Sequence, residues 1–353
     1  MLTISRLHIF NMLAARLSTV GTTCTRGFLR LSVVATPKSP FMPLTRQYKG
    51  DGRSFTRRSR IREVQAQTIE ATKTVKGKIG PMEVGQIAAA GGAVVGMGAL
   101  CYYGLGMSNE PGAIDRMVVW PQYVRDRIHN TYAYFGASCV ATAASAVTIF
   151  RSSLGHRFFA LCSRHPILST VGLLVGIVGT GQAMMAIPYT PGLGAKQIMW
   201  LINCGMLGLA VAPIGALGGA IAIRAGWYTA GIIAGLSTVA VCAPSDKFLN
   251  WAGPLGIGLG GVFVASLGSA FLPPTSALGL SLYSISLYGG LLLFSAFLLY
   301  DTQKVVRKAE SHPDMWGVVP YDPINMSHHI VMDALNIFIR IAQILAMGGG
   351  RKK

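Results

Sequence analysis

The sequence predicts an all-α, polytopic transmembrane helical bundle, and three observations lead to this fold class. The first is composition: of the 353 residues, 51% are hydrophobic and 12% are charged, about half the charged fraction of a soluble domain. The second is a succession of apolar runs of bilayer-spanning length. The third is the abundance of glycine, 43 residues, which lets membrane helices approach closely.

Residues 1–48 have the composition of a mitochondrial transit peptide. This segment contains arginines but no Asp or Glu, and Phe10, Leu13, Leu17 and Val20 recur at helical spacing. A membrane potential and an anionic lipid surface both attract such a cationic amphipathic helix. The segment therefore predicts a protein of the inner mitochondrial membrane; the alternative is a basic tail on a protein of another membrane.

The sequence Arg46-Gln47-Tyr48 resembles the Arg-x-Tyr site cut by the matrix processing peptidase. Cleavage would then fall between Tyr48 and Lys49, although Met12 offers a second start for the chain.

Positive charge is concentrated near the N-terminus. Residues 1–80 hold 15 Lys and Arg against three acids, whereas the whole chain carries a net charge of +18. We interpret residues 49–85 as a basic flexible tether and residues 351–353 as a basic C-terminal tail. Because the charge lies in a leader and not on a folded face, membrane lipid is an expected partner and nucleic acid is not.

Eight apolar runs follow the tether. We interpret residues 86–107 as an extra N-terminal transmembrane helix and residues 108–350 as a seven-helix core. Small residues four apart recur in several runs and favour tight helix packing, and Pro213 predicts a kink within its run. The runs lie at about residues 86–106, 131–150, 166–187, 199–221, 227–243, 252–272, 280–300 and 325–347.

The last run differs from the others because it carries a polar stripe. Asp333, Asn336, Arg340 and Gln343 are three or four residues apart, so they share one face of a helix. Such a face is costly against lipid and must point into the bundle or toward water.

Two aspartates are candidate ion-binding and proton-linked residues. Asp333 lies within a predicted span, and Asp301 follows directly at the end of another. Two carboxylates brought together in a low-dielectric bundle cannot both ionise cheaply, so they would share a proton or bind a cation instead. Carboxylate oxygens suit Ca²⁺, and competition between Ca²⁺ and H⁺ would couple the two ions, provided that the two helices are neighbours.

Other interpretations of these residues stay open. Arg340 and Asn336 could support the pair, or Arg340 could form a structural ion pair with Asp333 two turns away. Asp301 could be a solvated residue at the membrane interface. His328 and His329, which precede the polar helix, could sense pH or simply anchor the helix at the interface.

Enzymatic activity is not expected. The sequence lacks a phosphate-binding G-x-x-x-x-G-K-[ST] loop, a G-x-S-x-G nucleophile elbow and an H-E-x-x-H zinc motif. The six cysteines include no C-x-x-C pair, so we expect neither a metal cluster of cysteines nor a cofactor.

Three motifs resemble the Bax-inhibitor motif family of membrane proteins. The resemblance covers about residues 125–347, and the basic leader and the extra N-terminal span narrow it to a mitochondrial member. The motifs are Gly253-Pro254-Leu255, then Tyr288-Gly289-Gly290 through Leu299-Tyr300-Asp301-Thr302-Gln303, and Met332-Asp333-Ala334-Leu335-Asn336-Ile337-Phe338.

This resemblance implies seven core helices and a pH-sensitive Ca²⁺ leak or Ca²⁺/H⁺ exchange through an aspartate pair, carried here by Asp301 and Asp333. It also implies a role in apoptosis control, and for the mitochondrial member a role in cristae organisation and cytochrome c retention. Some members hold the pair with an arginine on the second core helix, but residues 166–187 contain no Arg or Lys. Either Arg340 takes the place of this arginine, or the aspartate pair is held in a different way.

The sequence therefore supports two candidate functions. The first is a Ca²⁺/H⁺ transporter or leak channel that uses Asp301 and Asp333. The second is a non-conducting scaffold that organises cristae and binds other inner-membrane proteins, with cytochrome c affected indirectly. The intramembrane aspartate favours the first, and the scarcity of other polar groups within the runs favours the second.

Overall fold

The structure is a computed structural model that describes residues 80–104, 107, 112–164, 166–244, 247–273, 275–313 and 320–349. The predicted transit peptide with its Tyr48/Lys49 cleavage site, nearly all of the predicted tether and the tail 351–353 lie outside these residues.

The described part of the chain is helical and contains no strand. It has eight helices or helix pairs that are long and apolar enough to cross a membrane, which confirms a polytopic helical bundle. We number the α-helices α1 (Pro81–Gly104), α2 (Ala113–Arg116), α3 (Gln122–Arg151), α4 (Ser153–Arg164), α5 (Pro166–Ala186), α6 (Ala195–Val211), α7 (Gly219–Cys242), α8 (Ala252–Phe271), α9 (Ala277–Ser284), α10 (Gly290–Ser311) and α11 (Pro323–Gly349).

Helix α1 begins at Pro81, five residues before the predicted start at 86, so the tether ends earlier than predicted. Proline is well placed in a first helical turn because its missing N–H would have no partner there. The Glu83 carboxylate accepts a hydrogen bond from the Gly80 N–H (3.2 Å), which further fixes this end.

The boundary between the fourth and fifth spans differs from the prediction of 199–221 and 227–243. After α6 the chain continues as a 3-10 helix, Ala212–Leu217, and turns at Gly218, whose φ of 104° favours glycine. The fifth span then starts at Gly219 and is 24 residues long, so it is not short. Pro213 lies at the transition from α-helix to 3-10 helix, where its missing N–H breaks the regular ladder.

The span that contains Asp301 continues further than predicted. Helix α9 passes through a π-helical turn, Ile285–Gly289, into α10, which ends at Ser311 and not near residue 300. Asp301 therefore lies in the middle of α10. Thr302 and Gln303 are buried beside it, which explains why the helix does not stop where the apolar run ends.

Helix α11 is the centre of the bundle. It packs against α3, α7 and α10, whereas α1 packs on the outside against α7 and the π-helical turn. Helix α4 is a 12-residue amphipathic helix between α3 and α5 that was not predicted. Because short connections join antiparallel neighbours, α4 marks one end of the bundle, which we call the α4 end.

Candidate functional site

Asp301 and Asp333 lie on neighbouring helices and are both removed from solvent. Helices α10 and α11 pack against each other, which meets the condition on which the predicted pair depends. The exposed fraction is 1% for Asp301 and 0% for Asp333. The alternative of a solvated Asp301 at the interface is therefore wrong, because the longer α10 carries this residue into the bundle.

The polar stripe of α11 faces the interior, as predicted. Asn336 and Arg340 are fully buried, and Gln343 is nearly so. The Arg340 guanidinium donates through Nη1 to the Asn336 carbonyl and to its Oδ1 (both 3.0 Å), and through Nε to the Ser286 carbonyl (3.3 Å). The Phe294 ring covers the guanidinium at 4.6 Å.

These contacts change the expected role of Arg340. Its hydrogen bonds are made to Asn336 and Ser286, so the ion pair with Asp333 is not what positions it. The Asn336 amide in turn donates to the Met332 carbonyl (2.8 Å), one residue before Asp333. Arg340 and Asn336 thus form one bonded unit that fixes α11 against the π-helical turn.

The two histidines occupy different environments. His328 is 5% exposed, and its Nε2 would lie 3.6 Å from a Cβ added at Gly181 of α5, so its ring packs against that helix. Asn203, whose amide donates to Thr180 (3.0 Å), lies at the same distance from this Cβ position. His328 is therefore buried within the protein, while His329 is half-buried, and their pH-sensing or anchoring roles stay predictions.

An ion pair that the sequence did not reveal anchors the start of α11. Lys196, 1% exposed, donates to Asp322 Oδ2 at 2.5 Å and to the Ile187 carbonyl at 2.8 Å. The other oxygen of Asp322 accepts from the Asn325 N–H (3.0 Å) and caps the helix. Asp322 before Pro323 is a helix-start signal that could have been recognised, but its partner lies 126 residues away.

A group of buried hydroxyls on three helices was not predicted either. The Tyr132 hydroxyl of α3 faces the hydroxyls of Ser237 and Thr302, and Thr302 is adjacent to Asp301 in the chain. Gln303 joins α10 to the end of α7, since its amide donates to the carbonyls of Pro244 (2.8 Å) and Ala240 (3.2 Å).

Holding a metal ion in this region would require oxygen ligands in addition to the two carboxylates. Within the described ranges, no three His, Cys, Asp or Glu side chains are grouped so that they could hold a metal ion. Ca²⁺ takes about six to eight oxygen ligands, which include hydroxyls, carbonyls and water. Two aspartates alone supply fewer oxygens than this, so a Ca²⁺ ion held by them would also need carbonyl, hydroxyl or water ligands.

The fold and this interior define a multi-pass membrane protein built around a polar central helix. Comparison with known proteins makes the assignment specific: residues 124–350 match the family described as inhibitor of apoptosis-promoting Bax1, and the chain belongs to this family.

Two relatives illustrate the range of similarity. The chain is 51% identical over 310 residues to the growth hormone-inducible transmembrane protein of Rattus norvegicus, and the match covers 88% of each chain. It is 26% identical over 237 residues to an uncharacterised protein of Helicobacter pylori, covering 64% of this chain and 88% of the bacterial one. The family resemblance predicted from the aspartate-containing motifs is confirmed.

Proposed function

We propose that the protein moves Ca²⁺ across the inner mitochondrial membrane, by exchange for protons or as a pH-dependent leak, with Asp301 and Asp333 as the ion-binding pair. The observation that carries this proposal is the burial of both carboxylates on two packed helices of a membrane bundle. Ionisable groups at membrane depth are costly, and they persist mainly where they bind or relay ions.

The coupling follows from competition for the same oxygens. In a low-dielectric interior the paired carboxylates hold either a proton or a cation, because two uncompensated negative charges repel each other. Acidification adds protons and displaces Ca²⁺, so the affinity for Ca²⁺ should fall as pH falls. Neither an enzymatic step nor a cofactor is part of the proposal.

The location and the wider roles rest on the sequence and on the family. The acid-free leader supports import into mitochondria. The family description, inhibitor of apoptosis-promoting Bax1, supports a role in apoptosis control. We extend this to cristae organisation with other inner-membrane proteins, and to cytochrome c retention as an indirect consequence.

The test is Ca²⁺ flux with a simultaneous pH readout in liposomes that contain the purified protein. We expect Asp301→Asn and Asp333→Asn each to reduce flux at least tenfold, because the amide keeps the shape of the side chain but loses its charge. Asp126→Asn is the matched control, since Asp126 is exposed on α3 and bonds only a neighbouring glutamine. Thermal unfolding of each variant verifies that it is folded.

A non-conducting scaffold is the second candidate. It is favoured by the lack, among the described residues, of a third carboxylate or histidine grouped with the pair. Wild-type protein that passes no Ca²⁺ between pH 6 and pH 8, or aspartate variants that conduct normally, would overturn the transport proposal in favour of the scaffold.

A further inference from the structure

An apolar groove opens on the side of the bundle at the α4 end. It has a volume of about 270 Å³ and lies between α4, α5 and α6. Phe158 and Leu161 contribute from α4, Gly172 from α5, and Met206 and Leu209 from α6. A pocket of this size is at the lower limit for small-molecule sites, so it suits a single slender apolar chain.

The groove lies at the start of α5, where this span would enter a bilayer. Its α5 residues belong to the first two turns of that helix, which follows α4 directly. A helix of 12 residues is about 18 Å long, too short to span a bilayer. Because α4 presents apolar residues to the groove and carries exposed Arg157 and Arg164 beside them, it has the pattern of a helix that lies in the interfacial plane.

Positive charge surrounds this opening. Residues 127–245 contain no Asp or Glu, and Arg151, Arg157 and Arg164 in this stretch are all exposed. Residues three and four apart are neighbours on a helix, so Arg157 and Arg164 flank Leu161, which lines the groove.

The other end of the bundle uses its arginines differently. Arg116 pairs with Glu310 at 3.3 Å. Arg127 donates to the carbonyls of Ala309 (3.1 Å) and His312 (2.9 Å). These arginines join helices to one another, whereas Arg157 and Arg164 of α4 are exposed.

We propose that the groove binds one acyl chain of an anionic phospholipid whose phosphate is held by Arg157 and Arg164. The apolar lining accepts the chain, and the guanidinium groups at the membrane surface accept the headgroup. A zwitterionic lipid brings its own ammonium group close to these arginines, so the site selects lipids with a net negative charge. This site is separate from the aspartate pair and does not depend on ion transport.

The test measures which lipids the purified full-length protein retains. Protein in mild detergent is mixed with equal amounts of phosphatidylglycerol and phosphatidylcholine of identical acyl chains, and bound lipid is counted by native mass spectrometry. We expect wild type to prefer phosphatidylglycerol. Arg157→Gln and Arg164→Gln should each lower this preference about fivefold, the effect of one basic side chain at an anionic surface. Lysine at either position should keep most of the preference.

A second variant tests the groove itself. A Cβ added at Gly172 has no atom within 4 Å, so Gly172→Leu can place its side chain in the groove without displacing the backbone. We expect it to remove the retained phosphatidylglycerol. Gly179→Leu is the matched control, because Gly179 is on the same helix, equally exposed and equally open, but does not line the groove.

Two results would overturn the proposal. Equal retention of both lipids by wild type shows that the arginines do not select a headgroup. Equal effects of Gly172→Leu and Gly179→Leu show that the lipid belongs to a general shell around the protein. The exposed arginine variants should unfold like wild type, so they test headgroup selection even where Gly172→Leu lowers stability.

Discussion

The first and the last spanning helices have similar length and hydropathy, but the first lies on the outside of the bundle and the last at its centre. Helices α1 and α11 are both long enough to cross a membrane and have nearly the same mean hydropathy. None of the residues of α1 is buried in the protein, whereas 67% of the most apolar stretch of α11 is. Hydropathy therefore identifies a span but does not tell whether lipid or protein surrounds it.

What distinguishes the two helices is where polar groups occur. The polar groups of α11 are buried in the bundle, and one of them, Arg340, donates to the Ser286 carbonyl outside its own helix. The exposed face of α1 after its first two turns is apolar and includes Val94 and Val95, each 72% exposed. A polar group is unfavourable against lipid but can make a specific contact inside the bundle. Polar residues in a span therefore indicate that this span is central.

The largest loss of stability should come from breaking the ion pair that anchors the start of α11. Lys196→Met removes the cation and leaves the Asp322 carboxylate without its 2.5 Å partner. The Lys196 side chain is buried and that of Asp322 is 21% exposed, so breaking the pair from one side should lower the free energy of unfolding in detergent by about 3 kcal/mol. Chemical denaturation followed by circular dichroism measures it.

The control for this variant is an ion pair at the surface. Arg116→Met breaks the pair with Glu310, in which the Arg116 side chain is 40% exposed, and exposed pairs contribute about 1 kcal/mol or less. Equal losses of unfolding free energy in the two variants would mean that burial of Lys196 does not strengthen its ion pair.

A smaller loss of stability is expected when alanine replaces a glycine that packs against α11. A Cβ at Gly290 would lie 2.2 Å from Nε of Arg340, whose guanidinium is fully buried and hydrogen-bonded and so cannot move aside. Gly290→Ala should therefore lower the free energy of unfolding by about 2 kcal/mol, as overpacking does. Thermal unfolding in detergent detects the change.

The same substitution on α1 should have the opposite sign. A Cβ at Gly96 has no atom within 4 Å, and alanine is the better helix former by up to about 1 kcal/mol. Gly96→Ala should leave the protein unchanged or slightly more stable. A loss of stability at Gly96 as large as that at Gly290 would contradict the outer position of α1.

Much of the fold could be predicted from the sequence because a span depends on local composition. The eight runs appear in the structure in the predicted order, and the stripe from Asp333 to Gln343 faces the interior because its spacing matches the helical period. Helix ends were less accurate. Asp301 marks the end of an apolar run but not of a helix, since buried polar contacts extend α10 beyond it.

The parts of the site that the sequence did not reveal are long-range contacts. Lys196 precedes an apolar run and looks like an interfacial residue until Asp322 is placed beside it. Arg340 bonds Asn336 within its own helix, but it also bonds a carbonyl of the π-helical turn 54 residues earlier. No local pattern encodes which helices are neighbours, so these partners required the structure.

The smallest effect should come from a hydrogen bond just before α11. Tyr321 is buried, and its hydroxyl bonds the Thr131 hydroxyl of α3 at 3.0 Å. Burial raises the pKa of Tyr321 to about 12, although the hydrogen bond to Thr131 and the charge of Arg127 oppose this rise; Asp322 and Tyr132 add to it. Tyr321→Phe loses this bond and should lower stability by about 1 kcal/mol at neutral pH.

The pH dependence of this variant tests the burial of Tyr321. The raised pKa means that the folded state keeps the phenolic proton longer than the unfolded state, whose tyrosine titrates near pH 10. The stabilisation is therefore complete below pH 10 and is lost as pH rises through about 12. The difference in unfolding free energy between wild type and Tyr321→Phe should shrink over this range in detergent. Tyr102→Phe on α1 is the control, because Tyr102 is 47% exposed, and it should leave the unfolding free energy at neutral pH nearly unchanged. A constant difference for Tyr321→Phe would show that α11 is not closed off from water at its start.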